Sequence, residues 1–75
     1  MKNRLIHIDN EVWEWTLELD NYNKVNEIRI YDPDKKLHRA VPYDIDPDYF
    51  NGEYEYASIK PSYIKEYILK YIKKQ

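Results

Sequence analysis

The sequence has no cysteine and a single glycine, and each shortage removes a class of protein. Without cysteine there is no disulfide and no thiolate metal site, a usage that fits a reducing compartment. With Gly52 alone there is no glycine-rich loop to cradle a phosphate. No flexible low-complexity linker divides the chain either, so residues 1–75 are expected to form one domain. No apolar run approaches the ~20 residues that span a bilayer. The opening stretch, MKNRLIHIDN, has no apolar core and no small-residue cleavage site, so it is not read as a signal peptide. The expected setting is cytoplasmic, in a bacterium or in a host if the gene is phage-borne. No cofactor and no membrane partner is implied.

A chain of 75 residues can bury only about 60% of the surface that its unfolded form exposes. Chains this small usually need a staple, an oligomer or very dense packing. Here the material is aromatic: two tryptophans, one phenylalanine and nine tyrosines. Each buried ring removes roughly 150–250 Å² from water. Asn, Lys, Tyr and Ile make up 33 of the 75 residues. All four have AT-rich codons, so part of the tyrosine content reflects genome composition.

The formal charge of −2 is unevenly spread. Residues 43–56, YDIDPDYFNGEYEY, carry five acids and no base, whereas residues 57–75 carry five lysines against Glu66. Exposed, these segments form two poles of opposite sign.

Periodicity predicts an α+β fold: a four-stranded antiparallel β-meander with one C-terminal amphipathic α-helix packed on one face. Residues 4–8 form the first strand, and Asp9-Asn10 supplies a two-residue turn whose central positions need positive φ. Residues 11–19 alternate, with Trp13, Trp15, Leu17 and Leu19 on one side and Val12, Glu14, Thr16 and Glu18 on the other. Residues 20–24 are a polar turn. In residues 25–31, Ile28 and Ile30 point inward, opposite Glu27, Arg29 and Tyr31. Asp32-Pro33-Asp34-Lys35 is a turn in which Asp32 accepts from the backbone. Residues 36–41 make a shorter fourth strand, with Leu37, Arg39 and Val41 on one side. Pro42 and Pro47 end regular pairing, so residues 42–58 are expected to be irregular, with a helical turn near Asp48. Pro61 opens the last helix. There Ile64, Ile68 and Ile72 form one row, facing the tryptophans, and Tyr63, Tyr67 and Tyr71 form another about 100° away.

Several motifs compete for function. Asp44, Asp46, Asp48 and Glu55 stand at positions one, three, five and twelve of a calcium-binding loop. However, Tyr49 replaces the glycine needed for its sharp turn, and Pro47 stiffens the loop. His7 and His38 are isolated and have no metal-ligand spacing. Ser58, Ser62 and Thr16 lack a neighbouring base, so no nucleophilic chemistry is indicated. Lys65, Lys70, Lys73 and Lys74, with Tyr67 and Tyr71, offer phosphate contacts and stacking to nucleic acid. Only three arginines are present, and arginine is the residue that reads bases bidentately.

The strongest reading is protein binding without catalysis. Asp44, Asp46, Asp48, Glu53 and Glu55 interleave with Tyr49, Phe50, Tyr54 and Tyr56. Tyrosine gives large contact area at low side-chain entropy cost. Such a surface suits a partner protein with a basic face. A homodimer through Tyr63, Tyr67 and Tyr71 is a further option, and nucleic acid on the lysine-rich helix is the alternative. In composition the chain resembles small accessory proteins of phages and mobile elements, among them inhibitors of host or defence proteins.

Overall fold

The alternation of Trp13, Trp15 and Leu17 with polar neighbours requires a sheet with one dry face, and that sheet is present. The structure is a computed structural model that describes residues 3–45 and 59–73. Four strands, β1 (Arg4–Ile8), β2 (Glu11–Leu19), β3 (Val25–Tyr31) and β4 (Leu37–Ala40), pair antiparallel in chain order. A 12-residue helical segment follows: α2 (Pro61–Tyr67) and a π turn (Ile68–Ile72). The fold is α+β.

Local chemistry explains each connection. Asp9 and Asn10 adopt φ of 49° and 67°, the positive values that the tight β1–β2 turn demands. This puts Ile6 opposite Trp13 and Arg4 opposite Trp15. The Arg4 guanidinium lies 5.1 Å from the Trp15 ring centroid, so its charge sits on an aromatic face. Between β2 and β3, the Asp20 carboxylate accepts from the backbone N–H groups of Tyr22 and Lys24. Between β3 and β4, Asp32 does the same for Asp34 and Lys36, as the sequence leads one to expect. Lys35 takes the left-handed position in that turn.

Trp15 pairs with Ile30, and Leu17 with Ile28, so the largest side chains share one side. Ile8, Trp13, Trp15, Leu17, Val25, Ile28, Ile30 and Ala40 are buried in one cluster, which Ile45, Ile59, Ile64 and Ile68 join. Ile64 and Ile68 are fully enclosed, whereas Ile72 is only partly buried. On the opposite side Leu5 and Val12 remain exposed. Thr16 is the exception there: it pairs with Arg29 and is buried.

The structure departs from expectation in three places. Strand β4 is shorter than residues 36–41. As expected, Leu37 and Arg39 share a side: they pair with Tyr31 and Arg29 on the outer face, and His38 and Ala40 take the inner one. Residues 42–45, expected to be irregular, form the helical turn α1 (Pro42–Ile45); the turn expected near Asp48 lies outside the described residues. Pro42 occupies the first helical position, where a missing N–H costs nothing. The Asp44 carboxylate accepts from the Val41 N–H at 3.1 Å, half of a capping box. Finally, the last helix does not stay α-helical. The Lys73 N–H donates to the Ile68 carbonyl at 2.7 Å, five residues back.

The π turn re-aims Lys73. Five α-helical steps would leave it roughly 140° around the axis from Ile68, but a π turn of about 4.4 residues leaves it nearer 50°. Among the described residues, no helix is long and apolar enough to cross a membrane.

Candidate functional site

Two surface cavities have chemically interesting linings, and they differ in whether their charges are already paired. The larger, about 320 Å³, is lined by Glu11, Trp13, Asp32, His38, Ile72 and Lys73, among others. Lys73 Nζ is 2.7 Å from Glu11 Oε1 and 3.7 Å from Asp9 Oδ2. This contact with Lys73 holds the Glu11 carboxyl below its ordinary range, and Glu11 in turn raises the Lys73 ammonium. His38 Nε2 lies 3.0 Å from Asp32 Oδ2. Burial pushes Asp32 up, but the His38 contact and the turn N–H groups outweigh it, and its pKa is lowered. The Trp13 indole nitrogen is buried with no partner in hydrogen-bonding geometry, although its N–H still favours ionised Glu11. Glu11 and Asp32 thus each meet a partner that lines the same cavity. Among the described residues, no hydroxyl or thiol nucleophile lines it.

The second cavity, about 200 Å³, lies between α1 and the C-terminal helix, lined by Tyr43, Asp44, Ile45, Glu66, Tyr67, Lys70 and Tyr71. Tyr43 and Tyr71 are 61% and 54% exposed, far more than a core role allows. Tyr67 and Tyr71 meet at a ring-centroid distance of 5.0 Å, tilted by 42°, because residues four apart share a helix face. The Tyr67 hydroxyl is pushed up in pKa, first by burial, then by Asp44 and Tyr71. Lys70 Nζ stands 5.6 Å from the Tyr71 ring centroid. Glu66 is exposed. Among the described residues, two carboxylates therefore face one ammonium around three tyrosines.

The site residues expected from sequence divide as follows. Asp44 is in this groove. Asp46, Asp48, Tyr49, Phe50, Glu53, Tyr54, Glu55 and Tyr56 lie outside the described residues. Of the lysine set, Lys65 is exposed, Lys70 lines the groove and Lys73 is engaged with Glu11 and Asp9. Lys74 lies outside the described residues. The tyrosine row splits: Tyr63 and Tyr67 pack against the core, and Tyr71 faces out. Sequence reasoning did not bring Glu66, Tyr67 and Tyr71 together with Tyr43 and Asp44, because that meeting depends on where α1 forms. It also missed the Asp32–His38 pair. The only signal was hairpin register: once Ile30 opposes His38, Asp32 and His38 must share a side.

Comparison with known proteins finds no family model that matches this chain, no curated protein that matches it and no solved structure that matches it.

Proposed function

We propose that the chain is a non-enzymatic protein-interaction module whose contact surface is the tyrosine groove together with the acidic stretch that follows it, residues 43–56. Its partner presents a basic face. The observation behind this reading is the grouping of Tyr43, Tyr67 and Tyr71 with Asp44 and Glu66 around one groove, at the point where α1 leads into the acid-rich segment. Large aromatic rings rimmed by charge are the usual anchors of protein interfaces. The reading takes the C-terminal helix to be amphipathic and packed on the tryptophan face. Burial of Ile64 and Ile68 beside exposed Lys65 and Glu66 supports this. An accessory role, as an inhibitor of a host or defence protein in the cytoplasm of a bacterium, suits a small domain with one such surface.

Affinity capture tests the proposal, with the intact chain beside a form in which Asp44, Asp46, Asp48, Glu53 and Glu55 are replaced by their amides. The amide at position 44 keeps an acceptor oxygen for the Val41 N–H. The expected result is a partner retained by the intact chain and lost by the neutralised one. Equal capture of the same partner by both removes the proposal.

A further inference from the structure

We propose that the groove between α1 and the C-terminal helix is a receptor for one arginine side chain of the partner protein; this rests on the interaction reading above and names its anchor.

Size is the first argument. At about 200 Å³ the groove is smaller than the roughly 300 Å³ at which ordinary small-molecule pockets begin. It suits one inserted side chain rather than a folded segment. Charge is the second. Among the described residues, Asp44 and Glu66 line the groove against Lys70, an excess of one negative charge. A cation is therefore attracted. Aromatic walls are the third argument. The chain already sets one of its own cations on these rings: Lys70 stands over Tyr71, as Lys60 does over Tyr63 at 5.8 Å. Tyrosine faces on this helix thus accept positive charge.

Arginine fits better than lysine on chemical grounds. Its planar guanidinium stacks on an aromatic face while its N–H groups form a fork to a carboxylate. Glu66, exposed and beside Tyr67 in sequence, is the carboxylate for that fork. Asp44 is committed in part to the Val41 N–H.

The test uses the full chain and three tripeptides, acetyl-Gly-X-Gly-amide with X as arginine, lysine or citrulline. Aromatic proton shifts are followed by NMR. The arginine peptide is expected to shift the Tyr43, Tyr67 and Tyr71 ring signals saturably, lysine to do so more weakly, and uncharged citrulline not at all. Glu66→Gln is expected to weaken arginine binding about fivefold, near 1 kcal/mol. Tyr71→Ala, at an exposed position, is expected to abolish the shifts while the rest of the spectrum stays native. Citrulline acting as well as arginine, or shifts mapping away from the groove, overturns the inference. The interaction reading fails separately. If Tyr71→Ala still captures the partner and the five-amide form does not, the module stands and the arginine receptor falls.

Discussion

Lys73 reaches back across 62 positions of the chain to place Nζ 2.7 Å from the Glu11 carboxylate. The pair ties the end of the last helix to the first hairpin, and the π turn supplies the rotation that makes it possible. Because Glu11 is lowered and Lys73 raised, the sign of the linkage is clear. The Glu11 contribution is complete above the ordinary carboxylate range and is lost as pH falls through its lowered value. The Lys73 contribution is complete below the ordinary lysine range and is lost as pH rises through its raised value. Both partners are in partial contact with solvent, so the effect is modest and screened by salt. Lys73→Met, which keeps the aliphatic stem, is expected to lower the melting temperature slightly near neutrality. That deficit should shrink in acid, below about pH 4, and in high salt. A deficit that ignores both pH and salt contradicts the assignment.

Much of the sheet was legible from residue pattern, for a physical reason. A sheet with one dry face must alternate, and Trp13, Trp15, Leu17, Ile28 and Ile30 do so without interruption. The turns were legible because Asp9, Asn10 and Asp32 are residue types whose side chains or backbone freedom suit those positions. The Lys73 contact was not, since the four-residue spacing of Ile64, Ile68 and Ile72 is the same in the sequence whether the last turn is α or π, and only the π turn swings Lys73 around. The groove was hidden too. Pro42 signals the end of a strand as readily as the start of a helical turn, and only the second places Tyr43 and Asp44 beside Tyr67 and Tyr71.

Ile68 is wholly enclosed, within the same cluster as Trp13 and Trp15. Ile68→Ala removes buried methyl groups and leaves a cavity, a loss of about 2–5 kcal/mol. In a chain of this size that is a large share of total stability. Ile72→Ala, at a half-buried site, is expected to cost distinctly less. Urea unfolding monitored by tryptophan fluorescence ranks the two, and equal losses would place the two side chains in equivalent surroundings.

Asn10 holds φ at 67° in the β1–β2 turn. Asn10→Gly keeps that conformation and is expected to be neutral or slightly stabilising. Asn10→Val places a branched side chain in the left-handed region, at a cost of about 1–2 kcal/mol. Thermal unfolding of both variants checks the turn. A valine variant as stable as the parent would show that the hairpin closes in some other geometry.

Asp32 is the hub of the β3–β4 connection: Oδ1 accepts from the Asp34 and Lys36 N–H groups, and Oδ2 meets His38 Nε2 at 3.0 Å. Asp32→Ala strips all three contacts from a largely buried position, and a loss of about 1–3 kcal/mol is expected. Asp32→Asn keeps one acceptor oxygen for the turn but gives up the charge that faces His38, so its loss should be smaller. The folded-state pKa of Asp32 is depressed. Its contribution is therefore whole above the ordinary aspartate range and disappears as pH falls through the lowered value. The gap in stability between parent and Asp32→Asn should close in that acid window. Trp13 is a convenient reporter, its ring centroid being 6.3 Å from that of His38. Denaturation curves followed by its fluorescence from about pH 3 to pH 7 measure the gap. A gap that persists unchanged through the acid limb would mean that the Asp32 charge contributes nothing, and that the turn is held by its hydrogen-bond geometry alone.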